Sequence, residues 1–307
     1  MIPADRLESA AIRDVTLRDG LQLTSKLYPT FAKVELVRTL IELGFEDIEV
    51  GSFARPDLVP SVADTAELLR RLTPAELARA WVWVATPRHL AVALDLGITR
   101  SQYCVSASES HNQANLGRSR SVSLDGFPRA SDMTQSIGGV LELCLATAFS
   151  CPFEGPTDPE RVLAMVTDQR AAGADGVVLC DTLGEARPQQ VHDLVTGVRE
   201  VRPQLRVVFH GHDTWGSGVA NSVAAIAAGA EMVDGALGGL GGCPFAPGAS
   251  GNVATEDLAH ALRPSGLSAY AIDRLARTAR RLLCELDEPV RSHVAVVAGL
   301  GRDHTQS

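Results

Sequence analysis

Eight short apolar, β-rich runs, most of them followed by an amphipathic helical stretch, constrain this 307-residue chain more than any other feature. The runs cover residues 11–16, 47–51, 81–85, 102–106, 141–148, 176–180, 206–210 and 232–236. Helical periodicity fills 31–43, where Phe31, Val34, Val37, Leu40 and Ile41 share a face, and also 59–72, 159–172, 188–201 and 219–228. Gly44, Gly173 and Gly229 stand where such helices stop. Strand–helix alternation demands a parallel sheet, and eight repeats suit a closed barrel better than an open sheet. A doubly wound sheet needs a phosphate fingerprint after its first strand. Here Leu17-Arg18-Asp19-Gly20-Leu21-Gln22 follows, which is neither GxGxxG nor a P-loop. The expected fold is therefore α/β, a (β/α)8 TIM barrel with additional C-terminal helices. Residues 1–307 are expected to form a single catalytic domain, about 10–260 in the barrel and about 261–300 in a C-terminal helical region. Ser, Asn, Arg and Gly dominate the start of 110–136, so a long loop over the barrel mouth is expected there. Residues 301–307 are polar and expected to fray.

A net charge of −9 argues against nucleic acid or an anionic membrane as partner. No apolar stretch approaches a membrane span, and the acidic N-terminus lacks an apolar targeting core, so the expected address is the cytoplasm. Six cysteines without a CxxC pair read as free thiols. Cys104, Cys144, Cys151 and Cys180 lie in or beside apolar runs and read as small buried hydrophobes; Trp81, Trp83, Phe31 and Phe209 read as core. Lys26 and Lys33 are the only lysines, and neither lies in a candidate strand. Lysine Schiff-base chemistry is thereby disfavoured, and a metal-dependent route favoured.

In a parallel barrel the site lies at the C-terminal strand ends. Asp19, Glu49, Asp181-Thr182, His210 and His212 collect there, with Cys243 and Asn252 on the last loop. Two histidines at a spacing of two share one face of a strand. With Asp19 and an amide such as Asn252 they make a mixed N/O set suited to Mg²⁺ or Mn²⁺. Glu49 alternates against Ile48 and Val50, should point inward, and needs a partner, for which Arg18 is the candidate. Arg18 could stabilise a developing enolate. Cys243, in a glycine-dense loop able to close over substrate, could act as proton donor or nucleophile.

The segments Thr16-Leu-Arg-Asp-Gly-Leu-Gln22, Ile48-Glu-Val-Gly-Ser-Phe53 and His210-Gly-His-Asp-Thr214, with the block from Gly238 to Asp257, resemble the hydroxymethylglutaryl-CoA lyases. The resemblance runs over about residues 10–295 and is most specific in the glycine–cysteine block. It implies a divalent metal held at Asp19, His210, His212 and Asn252. It also implies retro-Claisen cleavage of a 3-hydroxyacyl-CoA, such as 3-hydroxy-3-methylglutaryl-CoA, to acetyl-CoA and a keto acid such as acetoacetate. Arg18 would stabilise the enolate and Cys243 would take part in its protonation, with Glu49 also catalytic and Gln22, Asp181 and Thr182 binding substrate. The expected partners are an acyl-CoA substrate and a second copy of the chain in a homo-oligomer (dimer).

The chain departs from the family pattern in four places. Leu23-Thr24-Ser25 follows Gln22 where Asn-Glu is frequent, and Gly211 separates the histidines where cysteine is frequent. Trp215 stands where a tyrosine is common, and Leu141-Glu-Leu-Cys144 lacks an arginine often found before the Cys-Pro-aromatic segment, which brings Glu142 into question for the acyl tail. Tail selection is expected from Leu23, Thr24, Trp215 and Glu142, which makes citramalyl-CoA or a longer branched homologue an alternative substrate. A Claisen-type synthase and a non-catalytic metal-binding barrel are the other readings.

Overall fold

In the computed structural model, which describes residues 4–55, 57–242 and 251–300, all eight runs are strands of one closed barrel. They are β1 (Ala11–Asp14), β2 (Ile48–Ser52), β3 (Ala80–Val84), β4 (Arg100–Ser106), β5 (Val140–Ala146), β6 (Gly176–Asp181), β7 (Arg206–Gly211) and β8 (Met232–Gly235). Every neighbouring pair is parallel, and β1 closes the ring on β8 through Ala11↔Met232 to Asp14↔Gly235. This is the (β/α)8 barrel expected, with helices Ala269–Leu286 and His293–Leu300 added at its C-terminal end. No helix among the described residues is long and apolar enough to cross a membrane.

Two separate apolar clusters follow from strand alternation. Outward residues such as Val177, Val207 and Phe209 meet helix residues such as Val191, Leu194 and Val198 in the main core. Inside the barrel a smaller cluster gathers Cys104, Cys144, Ala146, Val178, Cys180, Val208 and Met232. The three cysteines are buried as expected, as is Cys151.

Several stretches differ from the periodicity, among them 159–172, which is a helix over Pro159–Val166 and then a 3-10 turn at Gln169–Ala171. The stretch 59–72 is a 3-10 turn, Pro60–Val62, and then a separate helix, Thr65–Arg70. The Thr65 hydroxyl donates to Val62 O at 2.7 Å and accepts from Ser52 N at 3.2 Å, over a Gly51 that leaves it no room for a Cβ. The expected loop at 110–136 is instead three helices, Glu109–Leu116, Arg120–Asp125 and Phe127–Gln135. Its polar residues are caps: Ser108 and Ser119 accept from the backbone of His111 and Val122, and Gly117 takes a left-handed C-cap. Phe127 then packs edge-on against Tyr103 at 5.4 Å. Phe31, read as core, is 67% exposed because the helix Thr30–Glu42 buries Val34, Val37 and Leu40 instead.

Gly211 ends β7 between the two histidines, and a Cβ there would lie 2.6 Å from the Phe209 ring. That ring is fixed edge-on against Phe149 at 6.0 Å. Gly211→Ala should therefore destabilise the fold by about 1–3 kcal/mol, the usual scale of overpacking. Phe209→Leu in the same chain should return part of the loss in urea unfolding; an unaltered midpoint for Gly211→Ala would refute the steric account.

Candidate active site

The site begins where β1 fails to continue. The Asp14 carboxylate accepts from Thr255 Oγ1 at 2.7 Å and from Thr16 N at 3.0 Å, and Thr16 Oγ1 accepts from Leu237 N at 2.8 Å. These bonds turn Thr16–Gly20 into a single π-helical turn. Such turns are rare and recur at functional sites. Gly20 fits because a Cβ there would already press on Ala236 and Leu240 at 3.3 Å. The turn buries Arg18 and Asp19 side by side.

Arg18 Nη1 donates to Asp19 Oδ1 and Arg18 Nε to Glu49 Oε2, both at 2.5 Å. Glu49 thus has the partner expected of it and is fully buried. The guanidinium also lies 5.8 Å from the Trp83 ring. The other Asp19 oxygen, Oδ2, faces His212 Nε2 at 3.4 Å and His210 Nε2 at 3.9 Å. Asn252 Nδ2 donates to that oxygen at 2.8 Å and to Leu240 O at 2.9 Å. Asn252 is pinned across from His212 by a β-bridge, and Gly241 (φ 116°) must be glycine because a Cβ would meet the Asn252 amide. His210 Nδ1 bonds Asp234 Oδ2 at 3.1 Å.

Burial pushes the Asp19 carboxyl up, but Arg18 and the two imidazoles outweigh it and hold it well below the usual carboxylate range. Burial likewise raises Glu49; Arg18 and Arg13 oppose it, leaving Glu49 at about 7. Burial disfavours a charged His210, yet its bond to Asp234 and the charge of Asp19 raise its pKa. The cluster attracts a cation.

A divalent ion fits this donor set. One ligand atom each from Asp19, His210 and His212 lies within 4.8 Å of the others. Asn252 Oδ1 is buried without a hydrogen-bond partner among the described residues, and an amide oxygen is a ligand that hard cations accept.

Above the cluster is a cavity of about 590 Å³, lined by Arg18, Asp19, both histidines, Gln22 and Thr182 among others. Leu23 and Gly242 are on its wall, whereas Cys243 lies outside the described residues. Trp83, read as core, lines this cavity, as do Cys104, Cys144 and Cys180. Asp181 does not: its carboxylate accepts from Glu185 N and Ala186 N, both at 3.1 Å, and so shapes its own loop. Glu142 also lies away from the cavity, bonded to Arg13 Nη1 at 2.7 Å inside the barrel. Trp215 is 71% exposed, and the Thr24 hydroxyl is turned to Leu21 O and Lys26 O. Lys33 is buried but paired with Asp64, so neither lysine lines the cavity. Asp234 and Arg13 were not singled out from the sequence, although each is a charged residue at an inward position of an otherwise apolar run.

Residues 9–281 match the HMGL-like family. The chain belongs to that family. It is 35% identical over 280 residues to the (R)-citramalyl-CoA lyase of Chloroflexus aurantiacus, covering 87% of this chain and 88% of that enzyme. It is 31% identical over 286 residues to a hydroxymethylglutaryl-CoA lyase of Bacillus subtilis, covering 93% and 96%. A solved HMG-CoA lyase of Acinetobacter baumannii, in complex with coenzyme A and 3-methylmalate, superposes with a TM-score of 0.86 at 33% identity over 94% of this chain and 95% of that one.

The glycine segment of this HMGL-like chain is anchored from below. Both oxygens of the fully buried Glu256 lie 3.1 Å from Gly238 N, at a left-handed φ of 65° with the Leu283 side chain against it. Burial raises the Glu256 carboxyl, the Gly238 N–H opposes, and the result is about 8. The folded protein thus holds this proton more tightly than the unfolded chain. The associated stability is complete below about pH 4.5 and is lost as pH rises through about 8. Gln mimics the protonated acid and does not titrate. The melting temperature of Glu256→Gln relative to wild type should therefore climb by several degrees between pH 5 and 8.5, at about 2–4 °C per kcal/mol. A pH-independent difference would show that Glu256 is ionised throughout.

Proposed function

We propose that this protein is a divalent-metal-dependent carbon–carbon lyase that cleaves a 3-hydroxyacyl-CoA bearing a carboxylate to acetyl-CoA and a keto acid. One observation carries the reading: the Asp19–His210–His212 triad and the Arg18 guanidinium share a carboxylate and open on the same cavity. Acyl-CoA lyases among the relatives support it.

Asp19, His210, His212 and the Asn252 carbonyl would hold the ion, Mg²⁺ or Mn²⁺. When bound, it supplies Lewis-acid polarisation of the substrate hydroxyl and carboxylate oxygens and a template for their orientation. Arg18 is held by two carboxylates on a buried turn, so its charge is in place before the reaction begins. As a general base takes the C3 hydroxyl proton, the C3–O bond becomes the keto carbonyl, C2–C3 breaks and its electron pair moves to the thioester oxygen, and Arg18 stabilises that enolate. Glu49 does not line the cavity and acts by orienting Arg18. Gln22 and Thr182 face the substrate, and Cys243 serves in protonating the enolate carbon. Leu23 and Trp83 contribute apolar surface to the cavity wall beside the Arg18 guanidinium.

The two substrates named for the relatives differ by one methylene between C3 and the distal carboxylate. An apolar pocket distinguishes one methylene by only about 10- to 200-fold. Both hydroxymethylglutaryl-CoA and citramalyl-CoA should therefore be cleaved, at unequal kcat/KM, in a coupled assay for acetyl-CoA release. Inactivity on every 3-hydroxy dicarboxylic CoA thioester would defeat the lyase reading.

Chelation should abolish turnover and Mg²⁺ or Mn²⁺ restore it. Asp19→Ala and His210→Ala should lower kcat/KM by about 10²–10⁴-fold, the several kcal/mol a metal contributes, while circular dichroism stays native because both side chains sit at the barrel mouth. Full activity of either variant in chelator would reject the metal assignment.

A further inference from the structure

Asp234 sits in β8 beside His210 of β7, in direct register with it, and is fully buried. It does not line the cavity. Its Oδ2 accepts from His210 Nδ1 at 3.1 Å. Its two oxygens also take a bidentate fork from Arg13, Nε to Oδ1 at 2.9 Å and Nη2 to Oδ2 at 3.2 Å. Arg13 is itself immobilised, with Nη1 on Glu142 at 2.7 Å and its guanidinium carbon 4.8 Å from the Trp81 ring centroid. His212 differs: its Nδ1 is buried with no hydrogen-bond partner among the described residues.

We infer that Asp234, clamped by Arg13, is a positioning residue that fixes the ring orientation and tautomer of His210, so that Nε2 presents its lone pair beside Asp19. The physical logic is short. A neutral imidazole that donates from Nδ1 carries its lone pair on Nε2, and Nε2 is the nitrogen that faces Asp19. A carboxylate that could rotate would hold the ring loosely. The guanidinium fork removes this freedom because it occupies both oxygens in one plane. Outer-shell partners of this kind govern metal affinity as well as turnover. The inference rests on the metal reading given above.

The test is Mn²⁺ binding to chelator-stripped, full-length protein, followed by the electron paramagnetic resonance signal of free Mn²⁺. Asp234→Asn should raise the Mn²⁺ dissociation constant by about 10- to 100-fold, the range seen for outer-shell partners. Glu142→Gln cuts the opposite arm of Arg13 at equal burial but leaves the Asp234–His210 bond. It should stay within about threefold of wild type, as expected of a change that does not reach the ligand. Should Asp234→Asn not fold with Arg13 left to Glu142 alone, the triple variant Arg13→Met, Glu142→Gln, Asp234→Asn removes all three buried charges together and carries the same expectation. Unchanged Mn²⁺ affinity in the folded Asp234 variant overturns the inference, as does equal weakening by Glu142→Gln, which would mark a packing effect. Wild-type protein that binds no Mn²⁺ overturns the metal reading itself, and this inference with it.

Discussion

Burying charge inside a closed barrel is the constraint from which the rest of this structure follows. A guanidinium or carboxylate enclosed by strands has no water to solvate it, so each must be met by an opposite charge in good geometry. The chain meets this with two linked arrays. Asp19, Arg18 and Glu49 form one, while His210, Asp234, Arg13 and Glu142 form the other, and they face each other across the 3.9 Å between Asp19 and His210. Both cations come from the first strand region, Arg13 within β1 and Arg18 on the π-helical turn beyond it. A barrel interior is normally filled by branched apolar side chains. Here the apolar filling is a cluster of cysteines and aliphatics from β4 to β8, with Ala11 and Trp83 packed against it, and charged groups share the remaining interior with Trp81 and Gln102.

Such arrays contribute little to net stability, since desolvation consumes most of the Coulombic gain. What they supply is fixed position. Four enclosed carboxylates (Asp19, Glu49, Glu142, Asp234) face two enclosed guanidiniums, with Arg206 only at the rim, 3.8 Å from Glu142. Carboxylates outnumber guanidiniums, and the Asp19 oxygen not taken by Arg18 is turned to the two imidazoles at the mouth. A divalent ion would find that oxygen and both ring nitrogens already gathered, so the donor set is a consequence of how the barrel is filled.

Most of this architecture was legible in the residues because barrel strands advertise themselves by composition and the mouth by chemistry. All eight strands lay where apolar runs stood, and His210, His212, Asp19 and Asn252 came together as their strand ends implied. What was hidden is physical in origin. Ser108, Ser119 and Gly117 look like a loop because capping residues and loop residues are the same residues; only the burial of Phe127 and Leu124 tells them apart. Trp83 and Trp81 share composition and strand face, yet one lines the cavity and the other is sealed, because depth along a strand is not encoded in alternation. Glu142 sits too deep to meet a substrate, and Trp215 too far out, for the same reason. Arg13 and Asp234 were visible as inward charges in apolar strands, but their partnership spans 221 residues and only the closure of β1 on β8 creates it.

The same geometry separates reaction from recognition. Ligands, guanidinium and their supports come from β1, β2, β7 and β8, elements joined by the charge arrays and by the Asp14–Thr255 and Thr16–Leu237 bonds. The opposite wall of the cavity comes from the loops after β2, β3 and β4, through Arg55, His89, His111 and Arg118. Their partners are local: Arg55 pairs with Asp57, His111 bonds Ser106 and Arg118 bonds Ser123, and no bond from these four to Asp19, His210, His212 or Asn252 occurs among the described residues. A substitution on that wall therefore has no charged partner in the barrel to strand, whereas loss of Arg13 strands the buried Glu142 and Asp234 carboxylates at once. Substrate preference can drift while the chemistry stays fixed, which accounts physically for relatives that share this fold and differ by a methylene in what they cleave.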